Sequence, residues 1–246
     1  SSSAGSTLKK ALETGNVQIL SNYLVESFET NKITELASKI TIVNVENGYK
    51  RVLNCDLILL CASTISTIRI LLNSEAQSNS LGFRDVSGKL GKFLMDHISL
   101  SRFFSVPKIK QLDEGLDISL DLSGAGSFFI PFGTNLPKVE NINFLRGYGI
   151  WGAIDRLGIP GFLQKDSNSS IGFLIAHGEV LPRKQNLVYL SKETDEWGIP
   201  IPKIEFEWSE NELNMAKHME HTIQKSVEAA GGEIKNIEEL INIPFG

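Results

Sequence analysis

Residues 88–97 read Gly-Lys-Leu-Gly-Lys-Phe-Leu-Met-Asp-His, and the adjoining Asp96 and His97 have the best context for chemistry in this chain. A carboxylate beside an imidazole can move a proton, ligate a metal or simply stop a helix. The residues alone leave all three open. His218 and His221 stand three apart, which can aim two imidazoles at one metal. They fall beside Lys217 and Lys225 with no obvious partner to complete a site, so a solvated helix face is the expectation. His177 lies in an apolar stretch between Ala176 and Gly178. It could face a ligand, but a core histidine with its hydrogen bonds satisfied is expected.

Gly147-Tyr148-Gly149-Ile150-Trp151-Gly152 matches G-x-G-x-x-G. A dinucleotide fingerprint needs a helix next, so that its N-terminal amides meet a pyrophosphate. Here residues 153–157 allow barely one turn before Gly158-Ile159-Pro160-Gly161, and Tyr148 and Trp151 would crowd a phosphate. The match is therefore not expected to be a phosphate loop. The chain has no G-x-S-x-G elbow and no P-loop lysine motif.

The two cysteines, Cys55 and Cys61, have no zinc-site spacing. On one strand they would lie about 20 Å apart, too far for a disulfide. Two buried free thiols and a reducing, cytoplasmic location are expected. The chain has 246 residues and a net charge of −5, with no Lys/Arg-rich run, which argues against a nucleic-acid partner. The most apolar stretch, residues 57–62, is too short to span a membrane. The N-terminus lacks both a starting Met and the shape of a signal peptide. Asn168-Ser169-Ser170 is a sequon of a kind that recurs by chance.

The elements that must carry these residues follow from periodicity. Residues 6–13 predict a short helix stopped at Gly15-Asn16. Residues 17–28 predict a strand, and 40–45 with 50–53 a hairpin about Asn47-Gly48. Residues 56–61 are almost continuously apolar, as in a strand buried on both faces. Ile65, Ile68, Leu71 and Leu72 then fall on one helical face. Strand, turn and helix in that order suggest a doubly wound nucleotide-binding sheet. From 101 onward the pattern turns to β: residues 117–122, 127–131, 171–180, 187–191 and 203–208, with a turn at Gly124-Ala125-Gly126. Ile204, Phe206 and Trp208 alternate with polar residues, so one face is expected to be buried. The clearest helix runs over 209–230, with Ser209 and Glu212 as a capping box and Gly231-Gly232 as its end. Leu213, Ala216, Met219, Ile223, Val227 and Ala230 mark its apolar face.

Several stretches together resemble the glucose–methanol–choline (GMC) oxidoreductases. Residues 6–28, STLKKALETGNVQILSNYLVESF, resemble the family segment that presents a valine, here Val25, to the adenine side of FAD. Residues 55–74, CDLILLCASTISTIRILLNS, are similar to the last Rossmann strand and helix, whose turn, here Cys61-Ala62-Ser63, approaches the dinucleotide. Residues 87–97, SGKLGKFLMDH, resemble the V-G-x-x-L-x-D-H segment that passes the flavin. GEVLPRKQNLVYL and WGIPIPKIEFEWSENE are similar to the returning strands of the substrate domain, and FLRGYGIWGA also has a counterpart there. The departures are a missing N-terminal pyrophosphate-binding βαβ unit and a missing C-terminal catalytic-histidine segment. In addition, Ser63 replaces a turn glycine and Ile98 the usual proline.

The resemblance implies an α/β with α+β fold: a partial FAD/NAD(P)-binding, Rossmann-like domain plus an antiparallel-sheet substrate domain. The expected divisions are a partial FAD-binding domain over 1–100, a β-rich substrate domain over 101–204, and a returning segment over 205–246 whose helix packs on the FAD-binding domain. It implies hydride transfer from the CH–OH group of an alcohol, sugar or polyol to FAD. Val25, Cys61, Ala62, Ser63, Asp96 and His97 are the expected cofactor-side residues. No catalytic residue and no metal ligand is assigned within the chain, and the electron acceptor is not identified. These residues on their own are expected to have little or no activity. The alternatives are an inactive remnant serving as a binding module, and an NAD(P)-dependent α/β enzyme.

Overall fold

A computed structural model describes residues 4–31, 33–34, 36–78, 83–107, 127–132, 142–154 and 169–235. Its elements in chain order are α1 (Thr7–Glu13), β1 (Tyr23–Thr30), β2 (Ala37–Asn44), β3 (Lys50–Asn54), α2 (Thr64–Gln77) and β4 (His97–Pro107). There follow β5 (Ser127–Phe132), β6 (Tyr148–Ile154), β7 (Ser169–Glu179), β8 (Leu187–Thr194), β9 (Pro200–Glu205), α3 (Glu210–Ala229) and β10 (Glu233–Lys235). The fold is α+β, and every strand ladder among the described residues is antiparallel. Residues 1–94 with 183–206 make one unit, and 95–182 with 207–246 a second. The sequence-based divisions differ: 183–204 fall with the first unit, and the last helix with the second. The expected strand over 117–122, the turn at 124–126, the sequon's Asn168 and the stretch 158–161 lie outside the described residues.

In the first unit β1, β2 and β3 form a three-stranded sheet in that order. The hairpin expected about Asn47-Gly48 is present. Asn44 Oδ1 accepts the N–H groups of Glu46 at 3.0 Å and Asn47 at 3.2 Å, a side-chain turn that leaves Gly48 to close the loop. Strand β1 begins at Tyr23, later than the sequence suggested. Helix α2 packs on it: Asn73 Nδ2 donates to the Glu26 carbonyl at 3.0 Å, and Ser74 Oγ accepts the Phe28 N–H at 2.9 Å. On its other side α2 is clamped to the β8–β9 hairpin. Arg69 Nη2 lies 2.6 Å from Asp195 Oδ2, and Arg69 Nε donates to the Pro200 carbonyl at 2.8 Å.

Two expectations fail in this unit. Residues 56–61 form no strand, and Leu57 and Leu59 are 74% and 77% exposed. A run apolar on both faces becomes a buried strand only where neighbours pair with its edges, and no described residue does so beyond the Cys55 N–H bond to Ser38. Cys61 is accordingly exposed rather than buried. Likewise Ile204 is more than a third exposed, because among the described residues β9 pairs only with β8 and gains no covering layer on that side; Trp208, beyond β9 and in the second unit, is also more than a third exposed.

The second glycine of Gly-Lys-Leu-Gly has a packing explanation, whereas Gly88 stands in open space at φ +61°. Gly91 has φ +74° and lies against β8, with Val188 N–H bonded to its carbonyl at 2.6 Å. A Cβ there would meet the Val188 carbonyl oxygen at 2.2 Å, so only glycine fits.

The second unit is a five-stranded sheet, β10-β4-β7-β6-β5, with α3 across one face. Ile98, Phe104, Ile150, Leu174 and Ala176 point from the sheet into a core closed by Met215, Met219, Ile223 and Val227 of α3. The helix face is therefore centred on Met215 rather than Leu213, which is exposed. Its first turn is held by Glu212. The carboxylate is fully buried, and it accepts the Ser209 N–H at 2.8 Å and the Leu181 N–H at 3.0 Å.

Candidate functional site

The second face of the five-stranded sheet carries the candidate site. Strand alternation sends successive side chains to opposite faces. The register pairs His97 with Glu179, Ser99 with His177, and Gly149 with His177. Directly opposed residues share a face. His97, Ser99, His177, Glu179, Gly149 and Trp151 therefore lie on the side away from α3. Phe129, paired with Trp151, joins them from β5.

All of these except Ser99 line a pocket of about 400 Å³, which Phe132 and Tyr148 also border. One end is polar. Ser99 Oγ and His177 Nδ1 are 2.7 Å apart, and the His97 ring meets the His177 ring edge-on with centroids 6.1 Å apart. Arg146 Nε lies 3.9 Å from Glu179 Oε2 at the rim. The other end is aromatic. The Phe129 ring lies over Gly149, where a Cβ would come within 2.6 Å of it, and Trp151 stands edge-on to Phe173 at 5.2 Å. Imidazoles beside an aromatic wall suit a small molecule with hydroxyl groups and a carbon skeleton.

The sequence expected His177 to be a core residue. It is exposed, because it shares strand parity with Glu179 and not with the buried Ala176 and Gly178. Ser99, Arg146, Glu179 and Phe129 were not singled out by sequence reasoning. The parity of His177 with Glu179, polar at one end of an otherwise apolar strand, is the signal that finds the face.

The remaining histidine expectation also changes. His218 does not lie on a solvated surface. It is half-buried among Phe132, Phe144 and Tyr148, and its Nδ1 is 2.8 Å from the Tyr148 hydroxyl. Burial, and secondarily the His221 charge, hold its pKa below the ordinary histidine value. Burial raises the Tyr148 pKa, offset in part by a hydrogen bond to Thr222. Among the described residues no group of three or more His, Cys, Asp or Glu could hold a metal.

The expected cofactor-side residues divide between the units. Val25 is half-buried in β1, beside a register shift between Val25 and Ser27. Cys61, Ala62 and Ser63 are exposed at the N-terminus of α2, where Ser63 Oγ accepts the Ser66 N–H at 3.4 Å. Asp96 and His97 belong to the second unit. His97 opens β4, and Asp96 Oδ1 accepts the His97 N–H at 2.7 Å. Gly147–Gly152 runs into β6, a strand, as expected of a stretch that is not a phosphate loop. No described helix is long and apolar enough to cross a membrane.

No family model matches the chain. Over 222 residues, 85% of its length, it is 25% identical to a 2-methyl-1,2-propanediol dehydrogenase of Mycolicibacterium austroafricanum. The chain spans about 40% of the length of that relative.

Proposed function

We propose that this chain is the central part of an FAD-dependent oxidoreductase of the GMC kind, acting on the CH–OH group of a small alcohol, diol or sugar. The observation that carries the reading is the pocket beside the open sheet face, with His97 and the Ser99-bonded His177 at one end and Phe129 and Trp151 at the other. The similarity to a diol dehydrogenase supports it, as do the stretches that resemble GMC enzymes. The apolar composition of residues 56–61, which form no strand here, resembles that of a strand in a Rossmann-like sheet.

The residues present fit one part of FAD. Cys61, Ala62 and Ser63 are small and exposed before the 14-residue helix α2, so a ligand can approach the backbone there. Val25 would offer an apolar side chain to the adenine. When bound, FAD supplies the hydride acceptor. This chain's part is to bind and orient: the aromatic wall packs the carbon skeleton and excludes water, while the polar end holds hydroxyl groups. No residue of the chain is assigned the role of base.

The test is to express the longest polypeptide that contains this chain, load it with FAD, and assay oxidation of small diols and sugars with an artificial electron acceptor. Turnover of one of them is expected. A folded protein that stays colourless with FAD and oxidises none would sink the reading. That result favours a binding module, for which the exposed Leu57 and Leu59 would mark the docking surface.

A further inference from the structure

Resting on that reading, we infer that His177 is a hydroxyl-binding residue for the substrate and that Ser99 is its positioning residue. Ser99 and His177 are directly opposed in the β4–β7 ladder, and Ser99 Oγ is 2.7 Å from His177 Nδ1. That bond fixes both the ring plane and the ring flip, so Nε2 is the atom left to face the pocket. Among the described residues Nε2 has no protein partner, and the Ser99 hydroxyl has no acceptor other than Nδ1. We take the tautomer in which Ser99 O–H donates to Nδ1, which puts the ring proton on Nε2, facing the pocket. A donor so held bonds an alcohol oxygen and strengthens as negative charge grows on it.

His97 lies edge-on to the ring and Phe129 covers Gly149, the residue opposite His177 on β6. His97, Asp96, Glu179 and Arg146 are the ionisable groups around the pair, and Glu179 faces Arg146 rather than His177. His177 is exposed, so replacing it leaves the core intact.

The experiment pairs kinetics with nitrogen-15 spectroscopy of the imidazole. In the FAD-loaded full-length protein, His177→Ala is expected to lower kcat/KM roughly 10–100-fold. Ser99→Ala is expected to lower it several-fold, and Ser99→Thr, which keeps the hydroxyl, to restore it. In spectra of the present chain, His177 is expected to carry its proton on Nε2. Ser99→Ala shifts the Nδ1 resonance and Ser99→Thr returns it. A His177→Ala enzyme within about twofold of the parent overturns the inference while alcohol oxidation itself stands. So does an Nδ1 resonance indifferent to Ser99→Ala. If the parent oxidises no alcohol, the function reading fails separately. Titration with 1,2-propanediol then decides the binding role: saturable movement of the His177 Nε2 resonance supports it, and none refutes it.

Discussion

The two faces of the five-stranded sheet differ as much as two proteins do. Each carries aromatic residues and a histidine set among them. Under α3, Tyr148 and Phe132 stack at 4.7 Å, and His218 hydrogen bonds the Tyr148 hydroxyl. On the opposite face, Trp151 and Phe129 flank His177, which hydrogen bonds only Ser99 among the described residues. Burial separates them. The face under α3 commits its histidine to a bond with Tyr148, although Tyr148 and Phe132 also border the pocket, and the other leaves an imidazole nitrogen and an aromatic wall for a ligand. Similar residue types therefore stabilise on one side of a strand and recognise on the other.

Adjacent residues of β6 give the sharpest version of that contrast. Ile150 is fully buried and Trp151 is 39% exposed. Ile150→Ala removes buried methyl and methylene groups and leaves a cavity, at a cost of about 2–5 kcal/mol. Trp151→Ala loses mainly the contact with Phe173, about 1 kcal/mol, although it deletes far more atoms. Urea unfolding of both variants measures the two costs. Equal costs would mean that the faces are not distinct.

Glu212 tests the buried side next. Burial raises its pKa, but hydrogen bonds from Ser209, Leu181 and Asn211 outweigh that and hold it below the ordinary glutamate value. A lowered carboxylate contributes stability that is present above its unfolded pKa and lost as pH falls through the folded value. Glu212→Ala is expected to cost about 1–3 kcal/mol near neutral pH, by freeing the Leu181 and Ser209 amides. Its stability should also fall less steeply in acid than that of the parent, as unfolding midpoints measured between neutral and acidic pH will show.

His218 contributes at a higher pH. Its pKa is lowered, so the neutral ring belongs to the folded state and the unfolded state binds the proton more readily. Stability is complete above the unfolded histidine pKa and declines as pH drops below it, before the Glu212 contribution is touched. His218→Gln should remove that upper segment of the decline and leave the lower one. Thermal unfolding followed across this range decides whether the fold depends on His218.

Much of this fold is legible in the sequence, and the reasons for the rest are specific. Helix α3 and the Asn47-Gly48 hairpin follow from local signals: a capping carboxylate, a 3–4 apolar spacing and a turn glycine. That Gly147–Gly152 is not a phosphate loop follows from the lack of room for a helix after it, and the structure makes Tyr148–Gly152 part of β6. The face of His177 is a matter of parity along β7, and apolar neighbours on both sides conceal it unless Glu179 is counted. His218 reads as solvated because its neighbours on α3 are lysines, whereas the burial comes from β5 and β6, far away in sequence. Residues 56–61 read as a buried strand because composition reports what a segment can bury, and only partners decide whether it does.

The smallest expected effect lies on the open face, at Gly149. A methyl group there would fall 2.6 Å from the Phe129 ring. Within the core such a clash costs about 1–3 kcal/mol, because nothing can yield. Phe129 is 66% exposed, so its ring can swing outward into solvent. Gly149→Ala should therefore change the unfolding free energy by no more than about 0.5 kcal/mol, as surface substitutions do. The displaced ring no longer closes the pocket beside His177, and affinity for a hydroxylated ligand should fall while the Ser99–His177 bond persists. Unfolding, the His177 Nδ1 resonance and the KM for the best alcohol, measured on one preparation, separate these effects. A stability loss like that of Ile150→Ala would show that the Phe129 side of the sheet is packed as tightly as the face under α3, and the distinction between the faces would fail there.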